Sequence, residues 1–212
     1  MIIKVCGMRD AENIRKVERL GIDMMGFICW EGSPRHVAEV PAYLPRCPRV
    51  GVFVDPSMRF VRERVEAFGF SHVQLHGCES PEFCKEVGEQ TKRQVIKAIS
   101  LNTSEDLDAA SRYEGCADLL LFDTKCPTCG GSGRKFCWDI LSDYRGPLPF
   151  LLSGGIGPED AERLRQFHHP KCIGLDINSR FEVAPGIKDI EAISRFIKSL
   201  SPALSKGEEE DK

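Results

Sequence analysis

Short apolar runs rich in β-branched residues recur along the chain at fairly even spacing, with polar stretches of helical period between them. The runs cover residues 2–6, 23–28, 50–54, 72–75, 94–99, 118–122, 149–152 and 172–177. Most are near-continuously apolar rather than alternating, which is how strands covered on both faces read. Between them, Met58, Val61, Val65 and Phe68 are spaced 3, 4 and 3 apart, and Ile190, Ile193, Ile197 and Leu200 repeat the pattern. That spacing is one face of an amphipathic helix. Asp55-Pro56, Ser80-Pro81 and Gly157-Pro158 predict helix starts with proline just inside. In residues 31–48, prolines leave little room for a regular helix.

Eight strands alternating with eight helical or loop crossovers imply parallel βαβ units. An open doubly wound sheet uses the same alternation. The eightfold repeat, its short connections and the polar residues at strand ends favour an α/β fold of the (β/α)8 barrel type. One domain is expected over residues 1–200. Beyond it, residues 201–212 (SPALSKGEEEDK) lose periodicity and read as a charged, disordered tail. The 212 residues lie near the lower size for such a barrel.

Charge removes some classes of partner. The net charge of −3 comes from acids and bases mixed along the chain, with no basic footprint for nucleic acid or an anionic membrane. An anionic ligand would therefore have to be held by a few placed basic groups and backbone amides. No apolar run approaches the ~20 residues of a membrane span, and the first residues read as a charged strand rather than a signal peptide. Several of the ten cysteines (Cys29, Cys116, Cys172) sit inside apolar runs, where free cysteine acts as a small buried hydrophobe. A reducing, cytoplasmic setting suits them.

In a parallel barrel the active site is built at the C-terminal ends of the strands. Those ends carry Cys6-Gly7, the Gly32-Ser33-Pro34-Arg35 loop, Gln74-Leu75-His76-Gly77 and Asp123-Thr124-Lys125. Strand 7 runs into Ser153-Gly154-Gly155-Ile156-Gly157, and strand 8 into Asp176-Ile177-Asn178-Ser179. Glycines before a helix start let backbone amides approach an anion, and the loops after strands 7 and 8 commonly bind phosphate. Gly154 and Gly155, paired with Asn178 and Ser179, are thus the expected phosphate site.

Cys6 is either a buried structural cysteine or, with a lowered pKa, a base or nucleophile. Asp123 ends a strongly apolar run, where burial favours an acid; its plain alternatives are a helix cap or an ion pair with Lys125. Arg35 suits a bidentate carboxylate or phosphate. His76 reads as a hydrogen-bonded rim residue, and Lys97 as facing an anion or pairing with an acid. Cys126-Pro127-Thr128-Cys129 with Cys137 offers three thiols but no fourth ligand at a familiar spacing, so no metal site is expected.

Together these motifs resemble the phosphoribosylanthranilate isomerase family over nearly the whole chain to about Leu200. The matches are Lys4-Val-Cys-Gly7, Gly26-Phe27 with Ser33-Pro34-Arg35, Val50-Gly-Val-Phe-Val-Asp55, Val73-Gln-Leu-His-Gly77 and Phe122-Asp-Thr124. Gly130-Gly-Ser-Gly133, Leu152-Ser-Gly-Gly155, Gly174-Leu-Asp-Ile-Asn-Ser179, and Pro185-Gly186 with Lys188-Asp189 complete the series. The resemblance implies an isomerase of tryptophan biosynthesis acting on a small phosphorylated substrate without metal or organic cofactor, as a monomer or homodimer. The reaction it implies is an Amadori rearrangement of N-(5-phosphoribosyl)anthranilate to 1-(o-carboxyphenylamino)-1-deoxyribulose 5-phosphate. The family's general base falls on Cys6 and its general acid on Asp123. Its carboxylate-binding arginine falls on Arg35, and its phosphate site on Gly154, Gly155, Asn178 and Ser179. Two departures stand in the loop after strand 6: cysteine at position 137, where the family has aspartate, and the Cys-Pro-Thr-Cys insertion.

Overall fold

The computed structural model describes residues 1–101, 103–124 and 138–200. Eight parallel strands close into a barrel in sequence order: β1 (Ile2–Val5), β2 (Met24–Ile28), β3 (Arg49–Phe53), β4 (His72–Leu75), β5 (Gln94–Leu101), β6 (Leu119–Thr124), β7 (Phe150–Ser153) and β8 (Cys172–Ile177). The seam pairs β1 with β8, Lys4 opposite Asp176 and Val5 opposite Ile177. The (β/α)8 expectation holds.

Each strand's continuous apolar run splits by period 2 into two cores. Val50 and Val52, Ile96 and Ala98, Leu119 and Leu121 point inward with Met24 and Leu151 and fill the barrel. Their neighbours, such as Val73, Leu75, Leu120 and Phe122, point outward and pack beneath the surrounding helices. The same alternation sets the mouth. Cys6 follows inward-facing Lys4 by two residues, Asp123 follows Leu121, Ser153 follows Leu151 and Asn178 follows Asp176. Lys97 is out of phase with Ile96 and Ala98, so it leaves the barrel and pairs with Glu79, Nζ 2.7 Å from Oε2, both buried.

Helices α1 (Ala11–Glu18), α2 (Met58–Phe68), α3 (Pro81–Thr91), α4 (Asp108–Ser111), α5 (Ala161–Gln166) and α6 (Ile190–Leu200) cover the outside. Asp10, Ser57 and Ser80 cap the first three, each side chain accepting from a backbone N–H three residues on. Pro81 sits just inside α3 as expected. Pro56 does not sit inside α2: Ser57 is the better cap, so the helix starts at Met58 and the proline stays outside it. Pro158 opens a 3₁₀ turn, Pro158–Asp160, that leads into α5.

No helix forms between β2 and β3, as the prolines dictate. That crossover is held instead by Glu18 of α1, which accepts from the Tyr43 hydroxyl and, at 2.5 Å, from the Arg46 amide. After β8 the chain makes a 3₁₀ turn, Ser179–Phe181, then a small antiparallel hairpin of β9 (Glu182–Ala184) and β10 (Ile187–Lys188). Phe181 packs on Phe196 of α6 with ring centroids 4.9 Å apart, anchoring the turn to the last helix. Cys29 is buried as expected, but Cys116 and Cys172 lie near strand starts and are only partly covered. The thiols Cys126, Cys129 and Cys137, together with Lys125 and the 201–212 tail, fall outside the described residues. No helix among the described residues is long and apolar enough to cross a membrane.

Candidate active site

The strand ends converge on a cavity at the C-terminal mouth. Cys6, Gln74, His76, Asp123, Ser153, Gly154, Gly155, Asp176, Asn178 and Ser179 line it, over apolar Ile28, Val52 and Ile156. Of the seven residues to which the family resemblance gives a role, six thus meet in one place. Arg35 stands beside the cavity rather than in its lining.

Cys6 is fixed by its backbone. Its N–H donates to the Ile177 carbonyl at 2.9 Å, extending the β1–β8 seam one residue past the strand. Its side chain leans over Gly26 of β2, where an added Cβ would lie 2.7 Å from Sγ and 3.2 Å from Lys4 Nζ. Below the thiol, Lys4 pairs with Asp176 at 2.9 Å, with side chains 0% and 6% exposed. Burial pushes the Cys6 thiol above its ordinary pKa, and the Lys4 ammonium beside it offsets that only in part. Burial alone would pull Lys4 down, but Asp176 and Cys6 outweigh it and hold the ammonium's pKa up.

Asp123 lies across the mouth, paired in register with Ser153 on β7. Its Oδ2 is 3.5 Å from His76 Nε2, and its side chain is 26% exposed. His76 Nδ1 lies 3.0 Å from Gln74 Nε2. An amide N–H donating to Nδ1 leaves the ring proton on Nε2, facing the carboxylate. A hydrogen-bonded rim histidine is the expectation, and its hydrogen bond is to Gln74, with the site carboxylate at ion-pair distance on the other side of the ring.

The loop after β7 bends through two left-handed glycines, Gly154 at φ 94° and Gly155 at φ 64°. A Cβ on Gly155 would meet nothing within 4 Å, so the backbone conformation, not crowding, calls for glycine there. Asn178 and Ser179 face this bend from β8.

Arg35 grips Glu182 at the start of β9: Nε is 2.9 Å and Nη2 2.6 Å from Oε2. Glu182 also accepts from Lys188 Nζ at 2.6 Å, and that ammonium reaches Asn178 Oδ1 at 2.7 Å. Burial works against the Glu182 carboxylate, yet Arg35 and Lys188 hold its pKa below the usual range. For Lys188, burial dominates and lowers its pKa in spite of Glu182. Sequence reasoning missed Glu182 and gave Lys188 no role, although Lys188-Asp189 is one of the motifs that match the family. Lys4 and Asp176 had a clearer signal, a charge at an inward position of an apolar strand.

Comparison with known proteins identifies relatives of the whole chain. The family model of N-(5'phosphoribosyl)anthranilate (PRA) isomerase matches residues 3–199. The N-(5'-phosphoribosyl)anthranilate isomerase of Phocaeicola vulgatus is 49% identical, covering 96% of this chain and 100% of that protein. The phosphoribosyl anthranilate isomerase of Thermotoga maritima superimposes with TM-score 0.80 at 31% identity, covering 94% of this chain and 98% of that one. A second isomerase structure, with reduced 1-(o-carboxyphenylamino)-1-deoxyribulose 5-phosphate, gives 0.78 at 28% identity, covering 94% and 98%.

Proposed function

The chain belongs to the N-(5'-phosphoribosyl)anthranilate isomerase family, an isomerase of tryptophan biosynthesis, and on that premise we propose which of its residues carry the reaction. The substrate is N-(5-phosphoribosyl)anthranilate. Asp123 is the general acid and Cys6 the general base of an Amadori rearrangement within a single barrel domain, residues 1–200. The observation that carries this reading is that the two groups line one cavity from opposite sides, with the glycine bend and Asn178-Ser179 between them along the rim.

Asp123 gives its proton to the furanose ring oxygen; the C1–O bond breaks and the anthranilate nitrogen's lone pair forms a protonated Schiff base. Cys6 thiolate takes the C2 proton, and the C2–H electrons neutralise the iminium as an enolamine. The enolamine becomes the ketone as C1 gains a proton and the C2 hydroxyl loses one, so the sum is an isomerisation. The phosphate rests on the amides of Gly154, Gly155, Asn178 and Ser179, as the positive φ of the glycines allows.

Arg35 holds the anthranilate carboxylate. Its bonds to Glu182 use the Nε–Nη2 edge and leave the Nη1 edge for a second carboxylate. Glu182 is shared between Arg35 and Lys188.

Loss of anthranilate-ribose fluorescence on adding purified protein follows turnover directly. The native chain is expected to turn over and Cys6→Ser to lose nearly all activity with its fold retained, because a hydroxyl is a far weaker acid than a thiol. A Cys6→Ser enzyme of near-native kcat would remove Cys6 from the mechanism.

A further inference from the structure

Lys4 has no exposed side-chain surface, and it sits two residues before Cys6 on the same inward face of β1. An ammonium has three N–H donors. One of them meets Asp176 Oδ1. The space that remains is the hollow above Gly26, and Cys6 Sγ occupies it: both Sγ and Nζ lie within 3.2 Å of the point where a Cβ on Gly26 would stand. Any other residue at position 26 would separate them or push them apart.

Charge counting points the same way. Around Cys6 stand Lys4 and Asp176 from β1 and β8, and Lys188 from β10, with Glu182 and Arg35 joined to Lys188. Three cations face two carboxylates. A thiolate at Cys6 adds a third anion to this set, beside the Lys4 ammonium, whose other anion is Asp176.

We propose that Lys4, fixed by Asp176 and given room by Gly26, is a positioning residue that holds Cys6 and stabilises its thiolate when the C2 proton is removed. This rests on the reading of Cys6 as the base. The balance at the thiol agrees: Lys4 is the strongest influence opposing burial, ahead of Lys188, and it outweighs the opposite effect of Asp176. A proton moved from C2 to Cys6 therefore lands on a group whose charged form had been sustained by a neighbour outside the substrate cavity. Lys4 itself loses no proton.

The test measures Cys6 twice, once without catalysis. Carbamidomethylation of the Cys6 peptide by iodoacetamide, read by mass spectrometry across pH, gives the thiol's midpoint; the acid limb of kcat/KM gives the catalytic one. Lys4→Met leaves Asp176 buried and alone, so it is paired with Lys4→Met/Asp176→Leu, in which an apolar pair replaces the ion pair, an exchange buried cores often tolerate. In either folded variant both midpoints are expected to rise by about one pH unit, which lowers the thiolate fraction about tenfold on the acid limb. KM should stay within a few-fold, and Lys4→Arg should restore much of the native limb. An alkylation midpoint that stays at the native value overturns the proposal. A midpoint that rises while the kcat/KM limb stays put upholds the coupling of Lys4 to Cys6 and overturns Cys6 as the base instead.

Discussion

Arg35 and Cys6 show how far a residue's neighbours decide its role. Both stood out in the sequence because they end a strand or lie in the loop after one, and position at the C-terminal strand ends also selected Asp123, Asn178 and the Ser153 loop. Their partners were not legible. Glu182 is 147 positions from Arg35, and Asp176 is 172 from Lys4, so no local pattern joins them. The arginine reads in sequence as a guanidinium suited to a ligand carboxylate or phosphate, yet it is already committed along one edge to Glu182. A carboxylate ligand would complete a charge-assisted pair on its other edge, an interaction worth about 1.5–3 kcal/mol. Arg35→Ala should therefore raise KM for the anthranilate substrate by about 10–100-fold, more than it lowers kcat. Steady-state kinetics decide the point, and an unchanged KM would leave Arg35 as only the counter-ion of Glu182.

At the level of elements, the strong strands and the long amphipathic helices were readable, because nearly continuous apolar runs and 3-4-3 spacing leave few alternatives. Boundaries and short pieces were less so. Pro56 pointed to a helix start one residue before the serine that actually caps α2, since a side-chain acceptor for a free amide outweighs proline's preset backbone. The β9–β10 hairpin escaped because strands of three and two residues show no period at all. It is the hairpin that brings Glu182 and Lys188 to the mouth. Asn13 of α1 holds β10 through two hydrogen bonds to the Lys188 backbone, and the turn that leads into the hairpin packs on α6, where Phe196 is buried against Phe181 at the end of the turn that begins with Ser179. Phe196→Ala should cost about 3–5 kcal/mol of stability through the cavity it leaves. Thermal unfolding should show this as a lowered Tm. At temperatures where the variant remains folded, KM should rise with kcat less affected, because the loosened turn carries part of the proposed phosphate site. A stability loss under about 1 kcal/mol would show that α6 is not what fixes the turn.

Across the whole molecule, a near-neutral barrel buries ion pairs at Lys4–Asp176, Lys97–Glu79 and Lys188–Glu182, and that arrangement ties stability to pH. The Glu182 pKa is lower in the folded chain than its ordinary value. Its contribution is therefore present above the unfolded value, about 4.3, and is lost as pH falls through the depressed folded value. The Lys4 pKa is higher in the folded chain, so its contribution is present below the ordinary lysine range and lost only as pH rises through the folded value. Glu182→Gln should destabilise the protein at neutral pH by about 1.5–3 kcal/mol, since two cations lose a charge-assisted partner. In urea titrations the gap between native and variant should stay level from pH 7 to about 5 and close below about 4. A gap that persisted unchanged at pH 3 would mean that the Glu182 charge contributes nothing.

The proposed mechanism asks the barrel to hold an acid and a base at two points of one sugar, and Asp123 is where that proposal is most exposed. Asparagine keeps the shape of the side chain and can still meet His76, but it has no proton to give the ring oxygen. The direct measurement is single-turnover loss of anthranilate-ribose fluorescence by Asp123→Asn, beside its affinity for the reduced product analogue. The account predicts near-native affinity and fold with turnover reduced by at least about 100-fold, the scale of a lost general acid. An Asp123→Asn enzyme that retains most of its kcat would contradict it.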